Sequence, residues 1–410
     1  MSFLLRIILA LLLYFGVQYY FLKKSSLIFN RVFPSVSTKK FKWLKITGLI
    51  LFNMFPLSII FIWGYYLITG DRSLTPPEGV LIDYLIIYPF WFFFTIVLQV
   101  VIFYFLSDLL KLILFPLYKK IKTKWKNFEA KVLLFILLLF IVYVPVRIIY
   151  DLSAINLNEI TYQKSSLNKE LDDFQIALIS DVQVDRYTNG ERLNDFIDMV
   201  NATDADLILI AGDIITSTPR YIETAAKSLG KLKANYGVYA CIGDHDNWAY
   251  RGDSKRSVFE VTSALEKYNI PMIDNETKTI DINGAEIAIT FLTNTYVERI
   301  SDSLLDSLTN GGSEYDLKIL LTHQPRKYLI DKAVKKDYDF YFAGHTHGGQ
   351  ITLFFPFFNL SPTLIETNFV RGDFWIDDML MVVTPGLGLS LAPIRYNSTP
   401  EVTVINVKSK

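Results

Sequence analysis

Four long apolar stretches, at about residues 3–22, 44–68, 83–107 and 132–150, alternate with polar connections over the first 150 residues. Each approaches or exceeds the roughly 20 residues that a helix needs to cross a bilayer core. This pattern predicts an all-α module of four membrane-spanning helices. The first stretch has one early Arg, Arg6, its further positive charges, Lys23 and Lys24, follow the apolar run, and no small-residue cleavage site appears. That is the reverse of the order in a cleaved signal. From residue 174 the pattern changes to short β-rich runs ending in polar tips: "FQIALISD", "DLILIAGD", "GVYACIGD", "LKILLTH" and "DFYFAGH". Their apolar cores suit strands buried on both faces. Helix-like segments lie between several of them: "ERLNDFIDMV", "RYIETAAKSLGKL" and "KRSVFEVTSALEKY". Asn283-Gly284, between two alternating runs, predicts a hairpin. "DMLMVVTPG" and "PEVTVINV" predict two final strands. Such alternation predicts an α/β domain with helix-covered sheets over residues 174–410. Residues 151–173 are polar and read as a linker.

Charge separates the two parts further. Residues 1–150 carry 17 Lys and Arg against 5 Asp and Glu, whereas residues 151–410 carry 24 against 36. Most of the N-terminal excess lies in two connections, residues 23–45 and 111–131, while "GDRSLTPPEG" between them holds only Arg72. Positive residues stay on the cytoplasmic side of membranes. Both Lys-rich connections are therefore expected in the cytoplasm, and everything after about residue 151 outside it. Cys241 is the single cysteine, so an internal disulfide is excluded. The acidic half has no basic patch interleaved with aromatics, which argues against a nucleic-acid partner.

The polar tips carry the candidate chemistry. Asp181 follows the first strand-like run, Asp213 the second, and Asp244, His245 and Asp246 the third. His323 ends the fourth, and His345 and His347 follow the fifth in "AGHTHGGQ". These are all four histidines of the chain. Ligands of α/β sheets gather at the carboxyl ends of strands. Carboxylate oxygens and imidazole nitrogens together suit divalent metals. The pattern therefore predicts a metal site.

This succession of motifs resembles the calcineurin-like metallophosphoesterase superfamily, whose pattern is D-x-H, G-D, G-N-H-D, a lone H, then G-H-x-H. The membrane-attached sub-group also shows "GHTHGGQI" and a run similar to "PGLGLSLAPIRYNSTPE", residues 385–401. The resemblance implies a four-layer αββα sandwich holding two divalent ions (Mn, Fe, Zn or Mg, with Mn favoured). Asp181 and His347 would hold the first ion, Asp213 would bridge, and Asp244, His323 and His345 would hold the second. His245 would sit by the leaving group, with Asp246 orienting its ring. Gln183 stands where the family has histidine, and Asp244 where it has asparagine. A neutral amide oxygen is a harder, weaker ligand than imidazole, so Gln183 would loosen the first position or favour a harder ion. Asp185, two residues on, is a candidate to reach in.

The implied activity is hydrolysis of phosphomonoester, phosphodiester or pyrophosphate bonds in a phosphorylated small molecule or lipid. The membrane module makes the bilayer an expected partner. "ITLFFPFFNL", residues 351–360, is an aromatic run that would either dip into lipid or form a buried strand and loop. The alternative is a receptor or scaffold that keeps the fold without catalysis, for which Gln183 and Asp244 are the main support.

Overall fold

In a computed structural model the protein is described except at residues 1–2, 36–37, 72–77, 251, 311–314 and 356–358. The connection around Arg72 and the middle of the 351–360 run thus fall largely outside the described residues. The chain forms two compact units, residues 1–149 with 353–356, and residues 150–352 with 357–410.

The first unit is helical: α1 (Phe3–Val32), α2 (Thr38–Thr69), α3 (Tyr88–Ile113) and α4 (Phe115–Ser153). Three helical segments among the described residues are long and apolar enough to cross a membrane: Lys45–Thr69, Val80–Ile113 and Phe115–Ser153. The expected fourth span, within α1, is not among them. Helix α3 is the centre of the unit. Its Thr95, Gln99, Val100 and Tyr104 are completely buried. At one end, Lys24 of α1 and Lys111 of α3 both approach Glu129 of α4, at 2.8 and 2.9 Å. Asp108 joins them, accepting hydrogen bonds from Lys24 and Tyr20. Half-buried charges persist when opposite partners surround them.

Gln99 has a different role. Its Nε2 donates to the carbonyl of Phe354 at 2.6 Å, and its Oε1 accepts the Phe354 N–H at 2.8 Å. A side-chain amide can pair with a backbone amide in this way because both present one donor and one acceptor. Leu353–Phe354, from the aromatic run, is thereby bound into the helical unit as an extended segment.

The second unit contains two six-stranded sheets. The first holds β1 (Asn156–Lys164), β2 (Gln175–Ile179), β3 (Leu207–Ile210), β4 (Val238–Cys241) and β5 (Met272–Ile273). The second holds β6 (Glu276–Ile282), β7 (Ala285–Leu292), β8 (Leu317–Thr322), β9 (Phe340–Ala343), β10 (Gly372–Ile376) and β11 (Met379–Val383). The last strand, β12 (Glu401–Ser409), lies in the first sheet between β1 and β2. The segment expected as a linker is therefore structured. Strand β1 pairs in parallel with β12 over its whole length, from Asn156 beside Glu401 to Lys164 beside Ser409. Its polar sequence reflects an edge strand with little buried surface.

Strand parity builds the layers. Ile176 and Leu178 of β2 point into a core shared with Ile287, Ile289 and Phe291 of β7, while Ala177 and Ile179 face the opposite way. That outer face is covered by α5 (Gly190–Asn201), α6 (Ile222–Leu229) and α7 (Ser254–Glu266), which contribute Phe196, Leu229 and Leu265. Two helices, α8 (Asp302–Thr309) and α9 (Lys327–Lys335), cover the second sheet through Leu305, Leu329 and Ile330. The result is the expected helix–sheet–sheet–helix sandwich. Asn283 and Gly284 turn the β6–β7 hairpin with positive φ at both positions, as a two-residue turn requires.

Candidate metal centre

The parallel strands β2, β3, β4, β8 and β9 all end on one side of the sandwich, and their polar tips meet there. Asp244, His323 and His345 place one ligand atom each within 4.8 Å of one another, as do Asp181, Asp213 and His323. His347 Nε2 is 3.2 Å from Asp181 Oδ1, and Gln183 Nε2 is 3.1 Å from His347 Nε2. All seven residues predicted to hold metal thus converge.

The ring contacts suit ligation. His323 Nδ1 lies 2.7 Å from the carbonyl of Ala211. A carbonyl only accepts, so Nδ1 donates to it, which leaves Nε2 facing Asp213 and Asp244, 3.3 and 3.5 Å away. His345 is turned the other way. Its Nε2 meets Glu366 Oε2 at 3.1 Å, leaving Nδ1 directed at Asp244 Oδ2, 2.9 Å away. Among the buried polar atoms without a hydrogen-bond partner are Asp181 Oδ1, Gln183 Oε1 and His323 Nε2. Each such atom costs about 1–3 kcal/mol unless something satisfies it. Three of them, from two loops of one cluster, fit a cation-binding cage.

The backbone is strained here as well. Asp181, Gln183, Asp213, His345 and His347 have φ between 43° and 72°. Non-glycine residues adopt that region at a cost of roughly 1–3 kcal/mol, and such strain concentrates at functional sites. Two glycines explain how the loops approach. A Cβ on Gly344 would lie 2.5 Å from Asp181 Oδ2, and one on Gly386 would lie 2.6 Å from Asp181 Cβ. The "AGH" and "PGLG" motifs therefore clamp Asp181 from two directions.

Electrostatics follow from burial and proximity. Burial disfavours ionisation of Asp213, but His323 and His245 overcome it and hold the carboxyl far below its usual range. Burial, together with the charge of Arg395, keeps His347 neutral, as a ligating imidazole must be. The His345 hydrogen bond helps pull Glu366 down to about 2.

Two expectations need correction. Asp246 does not orient the His245 ring. Its carboxylate accepts the backbone N–H groups of Asp213, Ile214 and Gly243 at 3.0, 2.8 and 2.8 Å, tying together the two loops that carry Asp213 and Asp244. The ring is held instead by the carbonyl of Thr216 at Nδ1, which leaves Nε2 facing Ser390 Oγ at 3.4 Å. Burial and the Asp213 charge raise the Asp246 carboxyl to about 6. Asp185 does not reach in either. It accepts the N–H groups of Tyr187 and Thr188 and closes its own turn.

Several participants were not singled out from the sequence. Gln324 Nε2 donates to Asp244 Oδ2 at 2.7 Å, and the Tyr296 N–H donates to Asp244 Oδ1 at 2.6 Å. These donors explain how an aspartate is accommodated where the family has asparagine. Gln324 Oε1 in turn accepts Arg326 Nε at 2.8 Å. Glu366, Tyr296, Thr216 and Ser390 sit in loops with no distinguishing pattern. Arg395 is completely buried, and its guanidinium donates to the carbonyls of His347, Pro385, Gly386, Gly388 and Ser398. Its place in "PIR" was the available signal.

Comparison with known proteins agrees with this geometry. Residues 174–349 match the family model for calcineurin-like phosphoesterases. A putative metallophosphoesterase of Caenorhabditis elegans, F40B5.2, is 30% identical over 57% of this chain and 48% of its own length. The chain thus spans about half of that relative. An uncharacterized metallophosphoesterase of Bacillus subtilis, YkoQ, is 30% identical over 48% of this chain and 71% of its own length. The transmembrane protein with metallophosphoesterase domain of Bos taurus is 27% identical over 58% of this chain and 53% of its own. With family model, relatives and clustered ligands in agreement, the chain belongs to the calcineurin-like phosphoesterase family.

Proposed function

We propose that this protein is an integral membrane hydrolase of phosphate ester or pyrophosphate bonds. The observation that carries this reading is the convergence of Asp181, Gln183, Asp213, Asp244, His323, His345 and His347 in one strained cluster with unpaired buried ligand atoms. Asp181, Gln183 and His347 would hold one divalent cation, Asp244, His323 and His345 a second, with Asp213 between them. Manganese is the favoured ion, since oxygen donors outnumber imidazoles. Such ions supply Lewis acidity toward a phosphoryl group and activate a water as nucleophile.

The chain's own residues supply the rest. His245 has Nδ1 committed to the Thr216 carbonyl, so Nε2, on the side facing Ser390, is the nitrogen left to exchange a proton with a leaving group. From there it can protonate a departing alkoxide. Asp246 fixes the loops, and Asp244 is steadied by Gln324 and Tyr296. The charge distribution supports cytoplasmic Lys-rich connections and an outward-facing second unit. The bilayer and a phosphorylated small molecule or lipid are the proposed partners.

The test is hydrolysis of p-nitrophenyl phosphate and its diester by the purified full-length protein, with and without Mn²⁺. Metal-dependent release that Asp213→Ala abolishes supports the reading. Metal binding without turnover on either ester or on a pyrophosphate supports the scaffold reading, which the Gln183 substitution favours.

A further inference from the structure

A cleft of 610 Å³ opens beside the metal centre, with Ile330, Ile365, Phe369 and Ile376 on its apolar walls and Arg326 and Glu366 at its polar side. Glu366 is also the residue that accepts from His345, so the polar side of the cleft adjoins the candidate ligands. Arg326 leads to the same place through Gln324 and Asp244. A cleft that combines an apolar wall with Arg326, Lys327, Asp331 and Glu366, next to a candidate phosphate-processing site, matches an amphiphile: apolar tail along the wall, phosphate toward the candidate ligands.

The exposed surface points the same way. Among the described residues of the second unit, the two most exposed large apolar side chains are Leu391 at 96% and Ile365 at 90%; the next, Phe259, is at 69%. Neither of the two is placed at random. Ile365 precedes Glu366, which touches His345, and Leu391 follows Ser390, which touches His245. Leu391 also has φ 58°, an uncommon conformation for leucine. A strained backbone presenting a bare leucine to solvent beside a catalytic histidine is unfavourable for a domain surrounded by water. It is favourable where the side chain enters lipid. The chain itself brings a bilayer, through its apolar helices.

We infer that the substrate is a membrane lipid carrying a phosphate or pyrophosphate, whose acyl portion occupies this cleft, and that Ile365 and Leu391 are lips inserted at the bilayer surface. This rests on the hydrolase reading for the substrate and on the surface alone for the lips, so two arms separate them.

In the first arm, the full-length protein in phosphatidylcholine vesicles is offered dioleoyl phosphatidic acid and, separately, glycerol 3-phosphate. Ile365→Glu and Ile376→Glu, both on the cleft wall, are expected to lower the ratio of long-chain to short-chain hydrolysis tenfold or more; an unchanged ratio overturns the assignment of the cleft. In the second arm, Leu391→Cys is labelled with a fluorophore, which is selective because Cys241 is fully buried. Quenching by a nitroxide-bearing lipid rather than by aqueous iodide is expected; the reverse overturns the lips. Should wild-type protein hydrolyse neither probe while the label is quenched from lipid, the hydrolase reading fails and the membrane-facing surface stands.

Discussion

The amide nitrogen of Gln183 lies 3.0 Å from Asp213 Oδ2, the carboxylate expected to bridge two ions. This contact replaces a ligand with a hydrogen-bond donor aimed at the same oxygen. Rotation of the amide by half a turn would instead direct its unpaired Oε1 there. The first position is therefore expected to bind weakly, with an occupancy that depends on which way this amide points. Gln183→His should raise the Mn²⁺ retained after dialysis toward about two equivalents, the number a binuclear centre takes. Elemental analysis of the purified protein checks this; equal retention in both forms would show that Gln183 already ligates fully.

Glu366 orients the His345 ring through Nε2. Carboxylates that orient a ligating histidine typically contribute about 10–100-fold in metal affinity. Glu366→Gln, which keeps an acceptor but removes the charge, should weaken Mn²⁺ binding by less than Glu366→Ala. Titration calorimetry provides the readout, independent of turnover.

Arg395 satisfies five backbone carbonyls from the loops that close over Asp181. Arg395→Met fills similar volume but leaves those carbonyls without their donors. Losing one partner of a buried charged network costs about 3–5 kcal/mol. The unfolding midpoint of the second unit in urea should fall accordingly. Arg395→Lys should recover only part of the loss, because an ammonium has three donors and no planar fork.

Gln99 and Phe354 exchange two hydrogen bonds inside the helical unit. Gln99→Leu leaves a buried N–H and C=O unpaired, at about 1–3 kcal/mol each. Hydrogen–deuterium exchange at the Phe354 amide should accelerate by roughly tenfold or more, since 1.4 kcal/mol corresponds to one decade. Unchanged protection would mean that other contacts hold the segment.

Much of this protein was legible as sequence because the signals were local. Apolar runs longer than a bilayer crossing, five apolar strands with polar tips, and the turn at Asn283-Gly284 are each set by neighbouring residues. Six of the seven candidate ligands were legible as polar tips of strands, whose parallel run brings their ends together, while Gln183 and the division into ligands came from the family resemblance. What the tertiary structure alone decided depended on residues distant in the chain. The polar segment 156–164 became a strand because β12, more than 230 residues later, offered it an edge. Asp246 turned from the His245 ring to three backbone amides because the Asp213 loop packs against its own. Gln324, Glu366 and Arg395 gained their roles from partners that no spacing rule connects. Sequence periodicity specifies which face of an element is buried, but a hydrogen bond between two loops exists only once the sheets between them have packed.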